Sequence, residues 1–364
     1  MTTAVDSRLL YKKIKPFNNS FKKEDYQKIP CKEGEANLND SGEKTFEFNY
    51  DQKIAYLRDS MIMEVFEIKN TADTITLQND HFPDKFSSIK LKFGTEDIES
   101  ISTAVGEAST IIHSVLTSDN YKRTYGALSG WFPDDNTTRA SNTGFTSRKE
   151  YYNGKTTVKL FYPLKYLLGT CYDHMKVFYK VPNITLILNR NADDTINNKI
   201  FFGDTLKTKT DPADVSKTIN VNPSYVTKKL EWWIPVLTMN LTAEKIFHQQ
   251  LNDDKNIDMG VLKRRMAKTS FSVSNFSWSI SDVKKQVRYV FVTFKTEKDN
   301  FTINNNFFTG KKIRKLQIQV NGEEYPQMNL NFENGDVSEA YMNYLKTCDY
   351  FGNDSQLNIK NYLK

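Results

Sequence analysis

Four histidines, His81, His113, His174 and His248, have the best claim to acid–base or metal chemistry in this 364-residue chain, and their spacing serves neither. They form no HxxxH or HExxH pair and have no cysteine partner, so no metal-ligand set is spelled out. Asp173-His174 reads as a solvated loop pair. Cys31, Cys171 and Cys348 are odd in number, far apart and free of any CxxC, which points to free thiols in a reducing compartment. Asp193-Asp194 and Asp253-Asp254 set carboxylates side by side. Neighbours on a strand point to opposite faces, so both doublets read as charged loops, not ion sites. The phosphate-cradling patterns GxGxxG and GxxxxGK[ST] are missing, as is the GxSxG nucleophile elbow. The expectation is a protein that binds or builds: not an enzyme, with no cofactor and no metal.

Trp232-Trp233 is the most conspicuous aromatic doublet. On a strand one ring must enter the core and the other must face out, where it would stack on a sugar or a base. Lys263-Arg264-Arg265 reads as a solvated helix end. Fifty basic against 44 acidic residues give +6, a mild excess in which lysine far outnumbers arginine. That balance fits a soluble surface with at most nonspecific contact to DNA or an anionic membrane, since sequence-reading proteins lean on arginine. No stretch approaches the roughly 18 apolar residues of a membrane span, and the amino terminus has no signal-peptide core. Triplets such as Asn183-Ile184-Thr185 read as incidental in so asparagine-rich a chain.

The elements that must position these groups are mostly strands. Val287 to Phe294 is β-branched and aromatic, and Ile313 to Val320 alternates strictly before an Asn321-Gly322 turn. Earlier runs repeat the pattern: Phe46–Tyr50, Met61–Ile68, Ile75–Leu77, Ile89–Phe93, Val158–Tyr162, Met175–Val181, Ile184–Leu188, Ile200–Phe202 and Lys229–Leu237. Later ones are Ser270–Val273 and Phe276–Ile280. Helical spacing recurs over 103–117, and over 242–251 with Thr242 as cap. Residues 134–155 read as a long exposed loop, and residues 1–44 as an extended basic arm. The fold class is all-β: two antiparallel jelly-roll sandwiches in tandem with a few short helices.

The order of several motifs resembles the double jelly-roll major capsid proteins of Polinton-like and adinto-like viruses and their double jelly-roll relatives in insect genomes. They are Lys15-Pro16-Phe17-Asn18-Asn19, Ile29-Pro30, Gly130-Trp131-Phe132-Pro133-Asp134, Phe161 to Gly169, Leu230-Glu231-Trp232-Trp233-Ile234-Pro235, Arg288-Tyr289-Val290 and Asn321-Gly322-Glu323-Glu324-Tyr325-Pro326. The resemblance implies a virion structural protein whose homotrimers form pseudo-hexagonal capsomers and tile an icosahedral shell, or a domesticated genomic copy of one. It implies penton and minor capsid partners, nonspecific contact with packaged DNA, and assembly in host cytoplasm or nucleus. Residues 1–44 become an interior arm carrying Lys12, Lys13, Lys15, Lys22 and Lys23; residues 45–239 the first barrel; residues 240–364 the second. Trp232, Trp233 and Trp278 become candidate subunit-interface residues. In that family further strands follow the helical stretch matched here by Val337 to Tyr350, so the second barrel is expected to be incomplete. The alternative is a jelly-roll carbohydrate-binding module using an exposed aromatic such as Trp131; a cupin-type enzyme would need a histidine set this chain lacks.

Overall fold

The computed structural model describes residues 21–49, 53–69, 74–136, 138–152, 155–171, 183–203, 208–211, 213–220, 222–252, 261–280, 287–295, 304–308, 313–320, 322–332 and 337–350. Its strands in chain order are β1 (Phe21–Pro30), β2 (Gly42–Asn49), β3 (Lys53–Ala55), β4 (Met61–Lys69), β5 (Ile75–Leu77), β6 (Phe86–Phe93), β7 (Glu96–Ile101) and β8 (Val158–Pro163). There follow β9 (Asn183–Arg190), β10 (Phe201–Gly203), β11 (Thr208–Asp211), β12 (Asp214–Asn220), β13 (Ser224–Met239), β14 (Lys315–Val320) and β15 (Glu323–Asn331). Every pairing is antiparallel, and the architecture is all-β with a few short helices.

Two sheets dominate. The first runs β1-β13-β4-β8, with β3 also on β13, and the second runs β2-β9-β6-β7. In chain order the eight long strands visit first, second, first, second, second, first, second and first sheet, which is the wrapping of a jelly roll. Period-two alternation drives the closure. Phe46 and Phe48 of β2, Ile184, Leu186 and Leu188 of β9 and Ile89 and Leu91 of β6 point inward from one side. Ile62 and Phe66 of β4, Leu160 and Tyr162 of β8 and Leu230, Trp232, Ile234 and Val236 of β13 meet them from the other.

Residues expected in the arm contribute to this sandwich, which corrects the reading of 21–44. Phe21–Pro30 pairs with Pro30↔Glu231 through Phe21↔Met239, and Gly42 already belongs to β2. The strand carries no alternating apolar pattern because it lies at a sheet edge, where lysines and acids face solvent and guard against stray pairing. Among its described side chains only Ile29 is buried. Lys12, Lys13 and Lys15 lie outside the described residues, as does the expected strand Met175–Val181.

Residues 134–155 also differ from expectation. Thr143–Tyr152 is a helix whose Phe145, Arg148 and Tyr152 are buried, so its polar sequence hides an inward-facing side. Val105–Leu116 and Leu241–Asn252 are helices at the expected places. Asn240, not Thr242, caps the second: its Oδ1 accepts from Ala243 N at 2.7 Å.

Beyond Asn252, the described residues pair only in the β14–β15 hairpin. Ser270–Val273, Phe276–Ile280 and Val287–Phe294 join no ladder there. Their composition favours strands, but a strand exists only opposite a partner. A small second core gathers Phe332, Val337 and Ala340, with Ile313 and Leu316 against it.

Candidate functional site

The outer wall of the first sheet carries the outward-facing, half-buried member of the tryptophan doublet. Alternation along β13 sends Trp232 into the core, wholly buried, and turns Trp233 outward. That burial removes Trp232 from the candidate interface residues, because its indole packs within its own sandwich. Trp233 lies 5.2 Å from the ring of Phe161 on β8 and 6.1 Å from that of Tyr26 on β1. Lys28 and Lys159 hold their ammonium groups 4.3 and 5.6 Å from the indole centroid, within cation–π range. Trp233 Nε1 donates to Glu231 Oε2 at 2.9 Å, and Lys229 holds Oε1 at 2.7 Å. Partial desolvation opposes ionisation of Glu231, yet these hydrogen bonds keep its carboxyl below the usual carboxylate range. The wall is thus an aromatic strip edged with lysine, suited to contact with another protein surface.

Trp278 is 42% exposed and sits in the separate stretch 276–280. With Phe271, Val273, Phe276 and Ile280 it forms an apolar surface on which the Phe271 and Phe276 rings stack 4.0 Å apart. Lys23 is exposed on β1 and pairs with Asp25 at 2.7 Å; Lys22 lies on the same strand, so neither belongs to a free arm.

The groups read as weak candidates for chemistry turn out to be internal. Asp80 Oδ1 meets His113 Nδ1 at 3.2 Å, and Asp80 Oδ2 accepts from Thr110 at 3.0 Å. Burial, against the pull of Asp80, lowers the pKa of His113. Trp131 is 2% exposed and stacks on His113, which corrects the expectation of an exposed sugar platform there. His81 is buried among Phe66, Tyr152 and Tyr225, and burial together with the cations Lys85 and Arg148 drives its pKa down to about 3. Glu64 pairs with Lys85 and accepts from Tyr225 and Thr227 at 2.9 and 2.7 Å. None of these groups is open to a substrate. His248 lies on the helix Leu241–Asn252, 3.8 Å from Glu244, and Asp193 opens a helix and pairs with Arg190 at 2.7 Å. His174 and Asp253-Asp254 lie outside the described residues. Among those described, no cluster of His, Cys, Asp or Glu is arranged to hold a metal ion, and no helix is long and apolar enough to cross a membrane.

A further set of contacts joins residues distant in sequence. Glu99, inward on β7, accepts from the backbone N–H groups of Gly169 at 2.9 Å, Thr170 at 2.8 Å and Arg264 at 2.7 Å. Arg264 also donates to Lys165 O at 2.7 Å, so this residue docks on the sandwich while Lys263 and Arg265 stay exposed, and the stretch is not a helix end. A Cβ on Gly169 would stand 2.9 Å from Leu262 O, so the close approach requires glycine. Glu107 meets Lys268 at 3.0 Å and Lys295 at 3.8 Å, while Asn306 donates to Asn79 O and Asp84, each at 2.6 Å. The later half of the chain is thereby strapped to the sandwich. Partners 165 residues apart, such as Glu99 and Arg264, leave no local signal.

No protein-family model and no curated protein matches the chain. Among solved structures it is similar to the Faustovirus major capsid protein, at 10% identity and a TM-score of 0.43 over 67% of this chain and 59% of that one. It is also similar to the mavirus major capsid protein, at 14% identity and a TM-score of 0.35 over 58% of this chain and 46% of that one. A quasi-atomic model of the PBCV-1 virus capsid matches at 9% identity and a TM-score of 0.31, over 65% of this chain and 47% of that one. The chain spans about half the length of the proteins it matches.

Proposed function

We propose that the chain is a shell-building subunit, a double jelly-roll major capsid protein of Polinton-like type or a domesticated copy of one. The carrying observation is the pairing of a completed jelly roll with exposed apolar side chains at Phe271, Val273, Phe276, Trp278, Ile280, Val290 and Val292. Exposed large apolar side chains gathered in this number mark association. In this reading residues 240–364 supply the second barrel, and Trp233 and Trp278 lie in lateral contacts. Homotrimers form pseudo-hexagonal capsomers, and contacts of obligate type bury well over roughly 2,000 Å². Lys12, Lys13 and Lys15 face the shell interior, where contact with packaged DNA is nonspecific; penton and minor capsid proteins complete a virion assembled in host cytoplasm or nucleus.

Light scattering with negative-stain microscopy of the purified protein tests this. Trimers or larger rings and sheets are expected. A stable monomer at the chain mass of 42.2 kDa across micromolar concentrations would count against it.

A further inference from the structure

Inside the sandwich, Glu64 of β4 and Lys85, which leads into β6, face each other across the two sheets. Lys85 is 2% exposed and Glu64 not at all, and Nζ contacts both carboxylate oxygens. The rings of Phe82, Phe86 and Tyr225 wall the amine at 4.6, 5.5 and 4.8 Å. The backbone on either side is fixed: Lys85 N donates to Phe82 O, and Lys85 O accepts from Asn191 N at 2.9 Å.

We propose that Lys85 and Glu64 condense to an isopeptide bond that joins the two sheets of the jelly roll covalently. The torsion at the end of a glutamate side chain is soft, so the carboxylate can turn its face to the amine. An N–C bond forms between Nζ and Cδ, and the Cδ–Oε2 bond breaks. Of the three ammonium protons, one stays on the amide nitrogen. A second passes directly to Oε2; the third replaces the proton that Tyr225 O–H, 2.9 Å from Oε2, delivers to that oxygen. Water departs, and no oxidant or co-reactant is consumed.

Two desolvated charges, each costly to hold in a dry interior, become one neutral amide. Its carbonyl oxygen has two lone pairs, enough to accept from both Tyr225 and Thr227. Burial has already drawn the pKa of Lys85 down to about 8, which opens a route to the nucleophilic free amine near neutral pH.

The test is the mass of the full-length protein, denatured after prolonged storage at neutral pH, with tryptic mapping. The protein should be one water lighter than its sequence, and the map should show a branched peptide joining the Glu64 and Lys85 segments, because trypsin does not cut after an acylated lysine. Lys85→Arg should return the full sequence mass. Unmodified mass with normal cleavage after Lys85, or a water loss that maps elsewhere, overturns the proposal. Should Lys85→Arg fail to fold, the wild-type map decides alone.

Discussion

Trp131 lies flat against His113, ring centroids 4.0 Å apart and planes 16° from parallel, while Tyr166 covers the other face at 4.1 Å and 11°. The imidazole is thus the middle layer of an aromatic stack that ties the turn after Ser129 to the helix Val105–Leu116 and to the 3-10 turn Leu164–Tyr166 that follows β8. Trp131→Ala should cost about 3–5 kcal/mol, the range for removing a buried large aromatic ring. The denaturant midpoint should drop with the slope unchanged; a loss under about 1 kcal/mol, the scale of a surface substitution, would show that the stack is incidental.

The dry environment of His81 makes stability depend on pH. Its folded-state pKa, about 3, lies below the ordinary histidine value of 6.5, so the unfolded chain binds the proton more readily. The His81 contribution is full above 6.5 and is lost as pH falls toward about 3. Asp84, raised by burial and by Glu107, acts with the opposite sign, so the comparison must isolate the histidine. Urea midpoints of wild type minus His81→Phe should therefore decline steadily from pH 7 to pH 4; a flat difference would refute the assignment.

Removing residues 1–20 should leave thermal stability nearly unchanged, whereas removing residues 1–30 should lower it by many degrees. The second deletion takes away β1, uncovers one edge of β13 and exposes the pocket of Ile29. Ile29→Ala alone should cost about 2 kcal/mol or more. Equal melting temperatures for the two deletions would show that the strand is not needed.

Gly130 holds φ at +79°, and a Cβ there would meet Leu160 Cδ1 at 2.9 Å and His81 Cε1 at 3.3 Å. Gly130→Ala should destabilise by more than about 1 kcal/mol through backbone strain and the clash together. Chemical denaturation reads this directly, and a neutral result would remove the steric argument.

Trp233→Ala should spare the folded subunit and weaken its assembly, since the ring stands on the outer wall. Unfolding should shift by under about 1 kcal/mol, while the concentration for half-association, read by light scattering, should rise tenfold or more. Unchanged association would take the first-sheet wall out of the interface.

The central strands were legible where their inward faces alternate: Ile89 and Leu91 of β6, Ile184, Leu186 and Leu188 of β9, and Leu230, Trp232, Ile234 and Val236 of β13 are apolar at every second position, while β4 reads as an apolar run interrupted by the inward Glu64. The edges were not. β7 reads Glu-Asp-Ile-Glu-Ser-Ile, and its inward Glu99 occupies a place where an apolar residue announces a strand. One tryptophan in and one out followed from strand geometry alone, but which ring went which way depended on register. That register is set by a shift between Thr227 and Lys229, which no local pattern displays.

The pairing of Phe21 with Met239 carries a kinetic consequence. β13 is both the sixteen-residue partner of β4 and the neighbour that β1 needs, and it is the last of the eight barrel strands to leave the ribosome. The nascent amino-terminal strand must wait with its ladder groups unmatched while roughly two hundred further residues are made. Closure between such distant segments is slow. During that interval Phe46, Phe48, Ile62 and Phe66 face water, so newly made chains should depend on chaperones more than their final stability would suggest.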